Sequence, residues 1–216
     1  VLDGRPLPKQ YSTLEARGFG VAIIYQELSL MSEMNVMENV YVSHEPRKVG
    51  NLIDFRKMYA DTKEQLAKLN AGHIDPRGRV GDLSLPEKQM VEIARTVYAD
   101  AQIIIMDEPT AALEANDREQ LFKVIRRLKE GGHSIIFISH HLDELMEICD
   151  RVSVLRDGQK VSEGYVKDYT VDRIISAMVG KELKNQYPKA EVSIGETLLE
   201  VCGLTKKSTF EDISLV

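Results

Sequence analysis

The sequence predicts an α/β fold built on a largely parallel sheet. Short apolar segments of strand type alternate along the chain with amphipathic segments of helical period, as expected for strands joined by crossover helices. The run Ile103-Ile104-Ile105-Met106 is apolar without alternation, which suits a strand buried on both faces of a parallel sheet. With 216 residues, the chain has room for one sizeable domain, or for one domain and a smaller piece.

The first half of the chain supplies one predicted strand and two predicted helices. It opens at Val1 in the middle of a strand-and-turn pattern, so we expect a fragment of a longer protein. Gly20 to Tyr25 is a short apolar run of strand type. Phe55 to Leu69 and residues 86–98 predict helices, because apolar residues recur in both at helical spacing.

The second half continues the alternation. After the strand at 103–106, the predicted elements are a helix at about 115–130, a buried strand at 134–138, a helix at 141–149, a strand at 151–155, a hairpin turn at Asp157-Gly158 into 159–162, and a helix at 170–179. Residues 184–195 are polar and lack periodicity, which indicates a linker. Strands predicted at 197–201 and near 213–215 then look like the opening of a second domain, since two strands alone are marginal in water.

Two carboxylates stand where the apolar strand ends. Asp107 and Glu108 follow Met106 directly and precede Pro109-Thr110. Ligands collect at the carboxyl edge of a parallel sheet. An Asp there can hold Mg²⁺, usually through water, and a neighbouring Glu can orient or deprotonate an attacking water. An acidic turn after a core strand is the alternative, and the flanking residues argue against it.

The segment from Ile103 to Thr110 resembles the Walker B motif of ATP-binding-cassette ATPases. Other segments resemble the remaining landmarks of that family in the family's order: Tyr25-Gln26-Glu27 the Q-loop, Leu83 to Glu87 the signature motif, Ala111 to Glu114 the D-loop, and Ile138-Ser139-His140 the H-switch.

Within the family, the chain resembles the monosaccharide importers of the ribose, galactose and xylose type. The runs that carry this likeness are Tyr25-Gln26-Glu27-Leu28, Gln89 to Ala94, Asp157-Gly158-Gln159 and Met178-Val179-Gly180. The resemblance implies a RecA-like P-loop NTPase core with an α-helical subdomain. It places the first ATPase domain at 1–183, with the helical subdomain at about 28–98, the linker at 184–195 and the beginning of a second ATPase domain of the same polypeptide at 196–216.

The resemblance also implies a role for each site residue. Gln26 would contact Mg²⁺ or the attacking water and couple to the membrane subunit, and Asp107 would hold Mg²⁺ through water. Glu108 would be the general base, and His140 would contact the γ-phosphate of ATP. Ser84, at a helix N-terminus, would face the γ-phosphate held by the opposite ATPase domain, since such a terminus suits an anion.

The phosphate-cradling motif G-x-x-x-x-G-K-[ST] does not occur in the sequence. That loop supplies the backbone N–H groups and the Lys that hold the phosphates of ATP. In the family it lies upstream of the segment corresponding to Val1. We therefore expect a cassette truncated at its N-terminus, and we expect this fragment not to hydrolyse ATP by itself.

The signature and D-loop segments depart from the family pattern. Pro86 replaces the second Gly of the signature and Glu87 replaces its Gln. Pro86 removes an N–H donor and Glu87 brings a negative charge toward phosphate, so one interpretation is a weakened composite site. The other is that Ser84 and Glu87 cap the helix, and the two can coexist. In the D-loop, Ala111 and Glu114 stand where the family usually has Ser and Asp.

The resemblance predicts an ATP-binding and ATP-hydrolysing subunit that energises monosaccharide import through a membrane permease with a sugar-binding protein. A soluble cassette ATPase acting on ribosomes or DNA is one alternative, but the net charge of −6 without a basic face argues against nucleic acid. For the fragment alone, a folded scaffold without catalysis is the other. No apolar run approaches the roughly 20 residues that cross a bilayer. We therefore expect a cytoplasmic chain, peripheral at the inner face of the membrane through its partners.

Overall fold

The computed structural model describes residues 12–180 and 199–215, together with positions 2, 4, 6, 8 and 10 near the start. The chain divides into two compact units, Val1–Val179 and Gly180–Val216. The α-helices of the described residues are α1 Thr13–Gly18, α2 Val36–Tyr41, α3 Phe55–Lys68, α4 Leu85–Tyr98, α5 Ala115–Glu130, α6 Leu142–Ile148 and α7 Val171–Val179. The strands are β1 Val21–Ile24, β2 Ile103–Asp107, β3 Ser134–Ile138, β4 Arg151–Arg156, β5 Gln159–Tyr165, β6 Val201–Lys206 and β7 Phe210–Leu215.

The central sheet of the first unit is parallel, as the sequence predicts. Its order is β1-β2-β3. Ile24 pairs with Met106 on one side of β2, and Asp107 pairs with Ile138 on the other. The carboxyl ends of the three strands therefore meet at one edge, where the chain leaves β1 at Tyr25 and β3 at Ser139.

The expectation of a buried strand at 134–138 is wrong, and β2 is fully buried on one of its faces and half-buried on the other. Ile104 and Met106 are fully buried, whereas Ile136 and Ile138 on β3 are 49% and 45% exposed. Successive side chains of a strand point to opposite faces of the sheet. Helix α4 packs against β1 and α5 against β3. Ile135 and Phe137 of β3 pack against this core, whereas the opposite face of β3 stays more open. An apolar run in the sequence therefore does not by itself show that both faces are covered.

A helical segment lies between β1 and β2. Helices α2, α3 and α4 pack against one another around side chains that are almost fully buried: Val36, Val40, Tyr41, Met58, Leu66 and Val91. A 3₁₀ turn, Val80–Asp82, leads into α4. This arrangement fixes the start of α4 relative to the segment that follows β1.

Two short helices, α1 and α2, were not predicted. Each has only six residues, too few for an apolar period to show. Each nevertheless begins with a capping box, formed by Ser12 and Glu15 in α1 and by Asn35 and Glu38 in α2. In a capping box the N-cap side chain and the third helical residue satisfy each other's free backbone N–H groups.

The hairpin at Asp157-Gly158 is confirmed. Both residues have positive φ, 51° and 75°, as a two-residue turn of type I′ requires, and β4 and β5 pair on either side of the turn. The second strand is longer than predicted, because it continues to Tyr165. A small separate core beside the hairpin includes Val152, Val154 and Ile174 of α7.

The second unit contains the antiparallel pair β6 and β7. The strand predicted at 197–201 is displaced, because β6 begins at Val201 and Leu199 and Glu200 have no regular structure. Most side chains of the pair are exposed, so no buried face fixes the strand bounds from the sequence pattern. The predicted linker at 184–195 and residues 197 and 198 lie outside the described residues.

Candidate active site

The backbone places Glu108 at the carboxyl edge of the sheet, between the ends of β1 and β3. Glu108 directly follows Asp107, the last residue of β2. Its backbone N–H donates to the carbonyl oxygen of Ile138 at 2.9 Å, so it is attached to the end of β3. Gln26 lies two residues beyond β1, and His140 lies two residues beyond β3. The parallel order of the sheet therefore brings all three side chains to one edge.

The carboxylate of Glu108 contacts both neighbours, one with each oxygen. The side-chain amide of Gln26 donates from Nε2 to Glu108 Oε2 at 3.2 Å. On the other side, His140 Nδ1 lies 2.9 Å from Glu108 Oε1. An ionised carboxylate can only accept hydrogen bonds, so this contact places a proton on Nδ1. The His140 side chain is 58% exposed and that of Glu108 29% exposed, so water reaches the pair.

The backbone of Glu108 is strained. Its φ of 45° lies in the left-handed region, which residues other than glycine rarely adopt. Such conformations persist when the surrounding structure holds them, and they cluster at functional sites. Besides the bond to Ile138, the carbonyl oxygen of Glu108 accepts from the N–H of Ala111 at 3.2 Å. This left-handed conformation turns the chain sharply after Asp107, and the Glu108 carboxylate then contacts Gln26 and His140.

Asp107 ends β2 with a half-buried side chain beside this pair. Carboxylate and amide oxygens of Asp107 and Gln26 are the hard ligands that Mg²⁺ prefers. Within the described residues, there is no group of three or more His, Cys, Asp or Glu side chains arranged to hold a metal ion. A magnesium ion here fits only with most of its ligands from water and from phosphate, which is the usual case for this ion in nucleotide sites.

A cavity of about 250 Å³ connects this edge with the start of α4. It is lined by Gln26 and Glu108 on one side and by Leu85 and Gln89 of α4 on the other. Gln89 is 5% exposed, and its Nε2 donates to the carbonyl oxygen of Pro109 at 2.5 Å. That hydrogen bond fixes α4 to the segment directly after Glu108, and no pattern in the sequence indicates it.

Ser84 makes its own hydrogen bonds at the start of α4, not with the Glu108 group. It is the N-cap residue, and its N–H and hydroxyl both donate to Glu87 Oε2, at 2.8 and 2.7 Å. These bonds lower the pKa of the Glu87 carboxyl, the Ser84 hydroxyl contributing most and the Ser84 backbone N–H next. The capping interpretation of Ser84 and Glu87 is therefore correct for this structure.

Glu87 has a second partner that the sequence did not indicate. Nε2 of His73 lies 3.2 Å from Glu87 Oε1. Both residues line a cavity of about 650 Å³ that also includes Ser84, Glu114 and Asp117. After the two hydrogen bonds from Ser84, the positive charge of protonated His73 also contributes to the lowered pKa of the Glu87 carboxyl.

Near the Glu108 group, two buried residues form a contact that the sequence does not indicate. Thr110 and Glu144 are 5% and 3% exposed and share a hydrogen bond of 2.6 Å. Nothing in the sequence distinguishes Glu144 from Asp143 or Glu147 on α6, because all three are acidic residues of one short helix. A helical projection of Leu142, Leu145 and Met146 places the apolar side of the helix without showing which acid is covered.

The described part of the chain contains no helix that is both long enough and apolar enough to cross a membrane.

Comparison with known proteins gives a consistent result. Residues 1–111 match the ABC transporter family. The chain is 43% identical over 215 residues to a ribose import ATP-binding protein of Rubrobacter xylanophilus, covering 100% of this chain and 42% of that protein. It is 44% identical over 217 residues to a ribose import ATP-binding protein of Corynebacterium glutamicum, covering 100% of this chain and 40% of that protein. The chain thus spans about two fifths of the length of the curated relatives it matches.

Solved structures with the same fold include two ATP-binding cassettes. The crystal structure of an ATP-binding cassette of an ABC transporter in its ADP conformation aligns with a TM-score of 0.63 at 24% identity, covering 77% of this chain and 71% of that one. A nucleotide-free ATP-binding cassette aligns with a TM-score of 0.59 at 24% identity, covering 70% and 63%. The fold is therefore that of the RecA-like cassettes. Since the family match extends over half of the sequence, the chain belongs to the ABC transporter family.

Proposed function

We propose that the protein containing this chain binds and hydrolyses ATP and uses the energy to import a monosaccharide through an ABC permease. The observation that carries the proposal is the Glu108 carboxylate, which lies between Gln26 and His140 at the carboxyl edge of a parallel sheet. The ribose import names of the relatives support the class of substrate.

Glu108 acts as the general base. Its carboxylate accepts a proton from a water positioned over the sheet edge, and such proton transfer contributes about 10²–10⁴-fold to a rate. Gln26 donates one N–H to this carboxylate, and its amide oxygen remains available to orient the same water. The hydrogen bond from Gln26 and the contact with His140 together hold the base in one orientation, so little reorganisation is needed when the water reacts.

The protonation state of His140 decides whether its Nε2 accepts or donates a hydrogen bond. With one proton on Nδ1, directed at Glu108, Nε2 accepts a hydrogen bond from water. When the ring is doubly protonated, Nε2 donates as well and can contact a phosphate oxygen. His140 is therefore able to sense the γ-phosphate of ATP while it stays attached to the base.

Asp107 and Gln26 would hold Mg²⁺, Asp107 through water. The ion would supply charge neutralisation at the β- and γ-phosphate oxygens. Ser84 would meet the phosphates of the opposite cassette at the N-terminus of α4, as the resemblance implies.

The polypeptide organisation follows from the same resemblance. Residues 1–183 are the first ATPase domain without its Walker A segment, with the helical subdomain at about 28–98. Residues 184–195 are a linker, and 196–216 begin a second ATPase domain. The coverage of about two fifths of the relatives' length supports this assignment.

The partners are permease subunits, a sugar-binding protein and the second ATPase domain, and the location is the inner face of the cell membrane. The alternative of a cassette ATPase unconnected with transport is not favoured, given the relatives' import names.

The proposal is tested by reconstituting the whole protein with its permease in vesicles. We expect ATP-dependent uptake of a monosaccharide, with ribose as the first candidate, and release of phosphate that rises with sugar. ATP hydrolysis without any sugar uptake would favour the cassette ATPase unconnected with transport. Absence of ATP hydrolysis altogether by the whole protein would contradict the proposal.

A further inference from the structure

A buried carboxylate lies beneath the Glu108 edge of the sheet. The side chain of Glu144, on α6, is 4% exposed. Burying an ionised carboxylate is costly unless hydrogen bonds and opposite charge compensate for the lost water. The partners of this carboxylate therefore define what it does in the fold.

Glu144 joins three segments that are distant in the sequence. Thr110 Oγ1 donates to Glu144 Oε2 at 2.6 Å, and Ser139 Oγ approaches the same oxygen at 3.4 Å. The other oxygen, Oε1, accepts from Arg118 Nη1 of α5 at 3.4 Å. Ser139 is itself fixed, because its Oγ accepts from the N–H of His141 at 3.0 Å.

These partners are the immediate neighbours of the proposed catalytic pair. Thr110 lies two residues after Glu108, and Ser139 directly precedes His140. The segment after Glu108 begins in a left-handed conformation that needs external support. A single carboxylate thus restrains both sides of the 2.9 Å contact between His140 Nδ1 and Glu108 Oε1.

We propose that Glu144 is a positioning residue for ATP hydrolysis, whose buried carboxylate holds Thr110 and Ser139 together and thereby fixes Glu108 against His140. This inference rests on the proposed function for its kinetic consequence, but its geometric consequence does not need nucleotide. Glu144 contacts neither Glu108 nor His140 directly, and it acts through their neighbours.

The kinetic test compares three variants of the whole protein. Glu144→Ala removes the carboxylate, and we expect kcat for ATP hydrolysis to fall about 10- to 100-fold, since a misplaced catalytic group costs rates of that order. KM for ATP should change by less than about threefold, because no nucleotide contact is lost. Glu144→Gln keeps an oxygen that accepts from Thr110, and kcat should recover to within about fivefold of wild type.

Glu147→Ala is the matched control. Glu147 lies on the same helix and also pairs with α5, through Arg126 at 2.7 Å, but its side chain is 55% exposed. An exposed ion pair contributes little to stability, so this variant should keep the wild-type kcat.

Thr110→Val removes the donor of the hydrogen bond to Glu144 and should lower kcat, as Glu144→Ala does. The double variant Thr110→Val with Glu144→Ala should have nearly the same kcat as Glu144→Ala alone, because both changes break one interaction.

A measurement without nucleotide separates this inference from the proposed function. Long-range ¹H–¹⁵N spectra of histidine-labelled protein distinguish the two ring nitrogens, and the His140 signals are assigned by their loss in His140→Gln. We expect the Nδ1-protonated tautomer of His140 in wild type and Glu147→Ala, and a mixture of tautomers in Thr110→Val and Glu144→Gln or Glu144→Ala, largest for the alanine variant.

Two results would overturn the inference. One is an unchanged His140 tautomer in both Thr110→Val and Glu144→Ala. The other is a kcat in Glu144→Ala within about twofold of Glu147→Ala while wild type hydrolyses ATP. If Glu144→Ala does not fold, Thr110→Val decides by the same two readouts. If wild type releases no phosphate, the proposed function fails, and the tautomer measurement still tests Glu144.

Discussion

The hydrogen bond from Gln89 to Pro109 gives a stability prediction with a defined size. Gln89 is 5% exposed, and among the described residues its Nε2 is the hydrogen-bond donor to the carbonyl oxygen of Pro109. Gln89→Met keeps nearly the same volume, so packing losses should be small. The carbonyl oxygen is then left buried without a donor, which costs about 1–3 kcal/mol. We expect the free energy of unfolding to fall by about 2 kcal/mol.

Urea unfolding of the chain measures this loss. With an m value of about 2 kcal/mol/M, the midpoint should fall by about 1 M. Gln120→Met is the matched control: Gln120 lies on α5 and is exposed, so its substitution should stay within about 0.5 kcal/mol of wild type. Equal midpoints for the two variants would refute the reasoning, because α4 would then not depend on this bond.

Three further predictions concern the start of α4. Ser84→Ala removes the N-cap hydroxyl and should cost about 1 kcal/mol in urea unfolding; an unchanged midpoint would contradict the capping role. The pKa of the Glu87 carboxyl is lowered in the folded chain, so ionised Glu87 stabilises the fold. This stabilisation is fully present above about pH 4.3, the pKa of Glu in an unfolded chain. It is lost as the pH falls through the lower pKa of the folded chain. The difference in unfolding free energy between wild type and Glu87→Gln should therefore be present at about pH 6 and shrink below about pH 4, and a difference that does not depend on pH would disprove it. If Pro86 and Glu87 weaken the composite ATP site, Pro86→Gly with Glu87→Gln should raise the ATPase rate of the whole protein about two- to fivefold, from interactions of roughly 0.3–1 kcal/mol; no change in rate would remove that hypothesis.

The sequence predicts the part of the fold that depends on periodicity and on strand ends. Helices α3, α4 and α5 have long apolar stripes, and their bounds agree closely with the structure. The class of sheet was predictable because segments of strand type alternate with segments of helical period along the chain. Since parallel strands end at one edge, the convergence of Gln26 and His140 on that edge follows from the order of the elements.

What the sequence leaves out depends on contacts between distant segments. The open face of β3, with Ile136 and Ile138, is decided by what covers the sheet and not by the strand's own residues. The burial of Glu144 also depends on distant residues. Three acidic residues lie on α6, and the contacts with Thr110 and Arg118 decide which of them is buried. The strained backbone of Glu108 likewise has no local signal, since Glu is not a residue that favours positive φ.

The His73–Glu87 pair shows how the same limit affects charge. From the sequence, Glu87 has two interpretations that can coexist: it caps the helix with Ser84, or it brings a negative charge toward phosphate. In the structure its carboxylate accepts two hydrogen bonds from Ser84 and lies 3.2 Å from the His73 imidazole. The charge is thus partly satisfied within the helical segment, which the spacing between His73 and Glu87 alone does not indicate.

Phosphate release from Mg-ATP by the whole protein, compared between wild type and Glu108→Gln, tests the central claim most directly. The substitution keeps the shape of the side chain and a hydrogen-bonding oxygen but removes the base. We predict that the rate falls by about 10²–10⁴-fold while ATP still binds. A rate within about tenfold of wild type would contradict the account, because Glu108 would then not be the group that takes the proton from water.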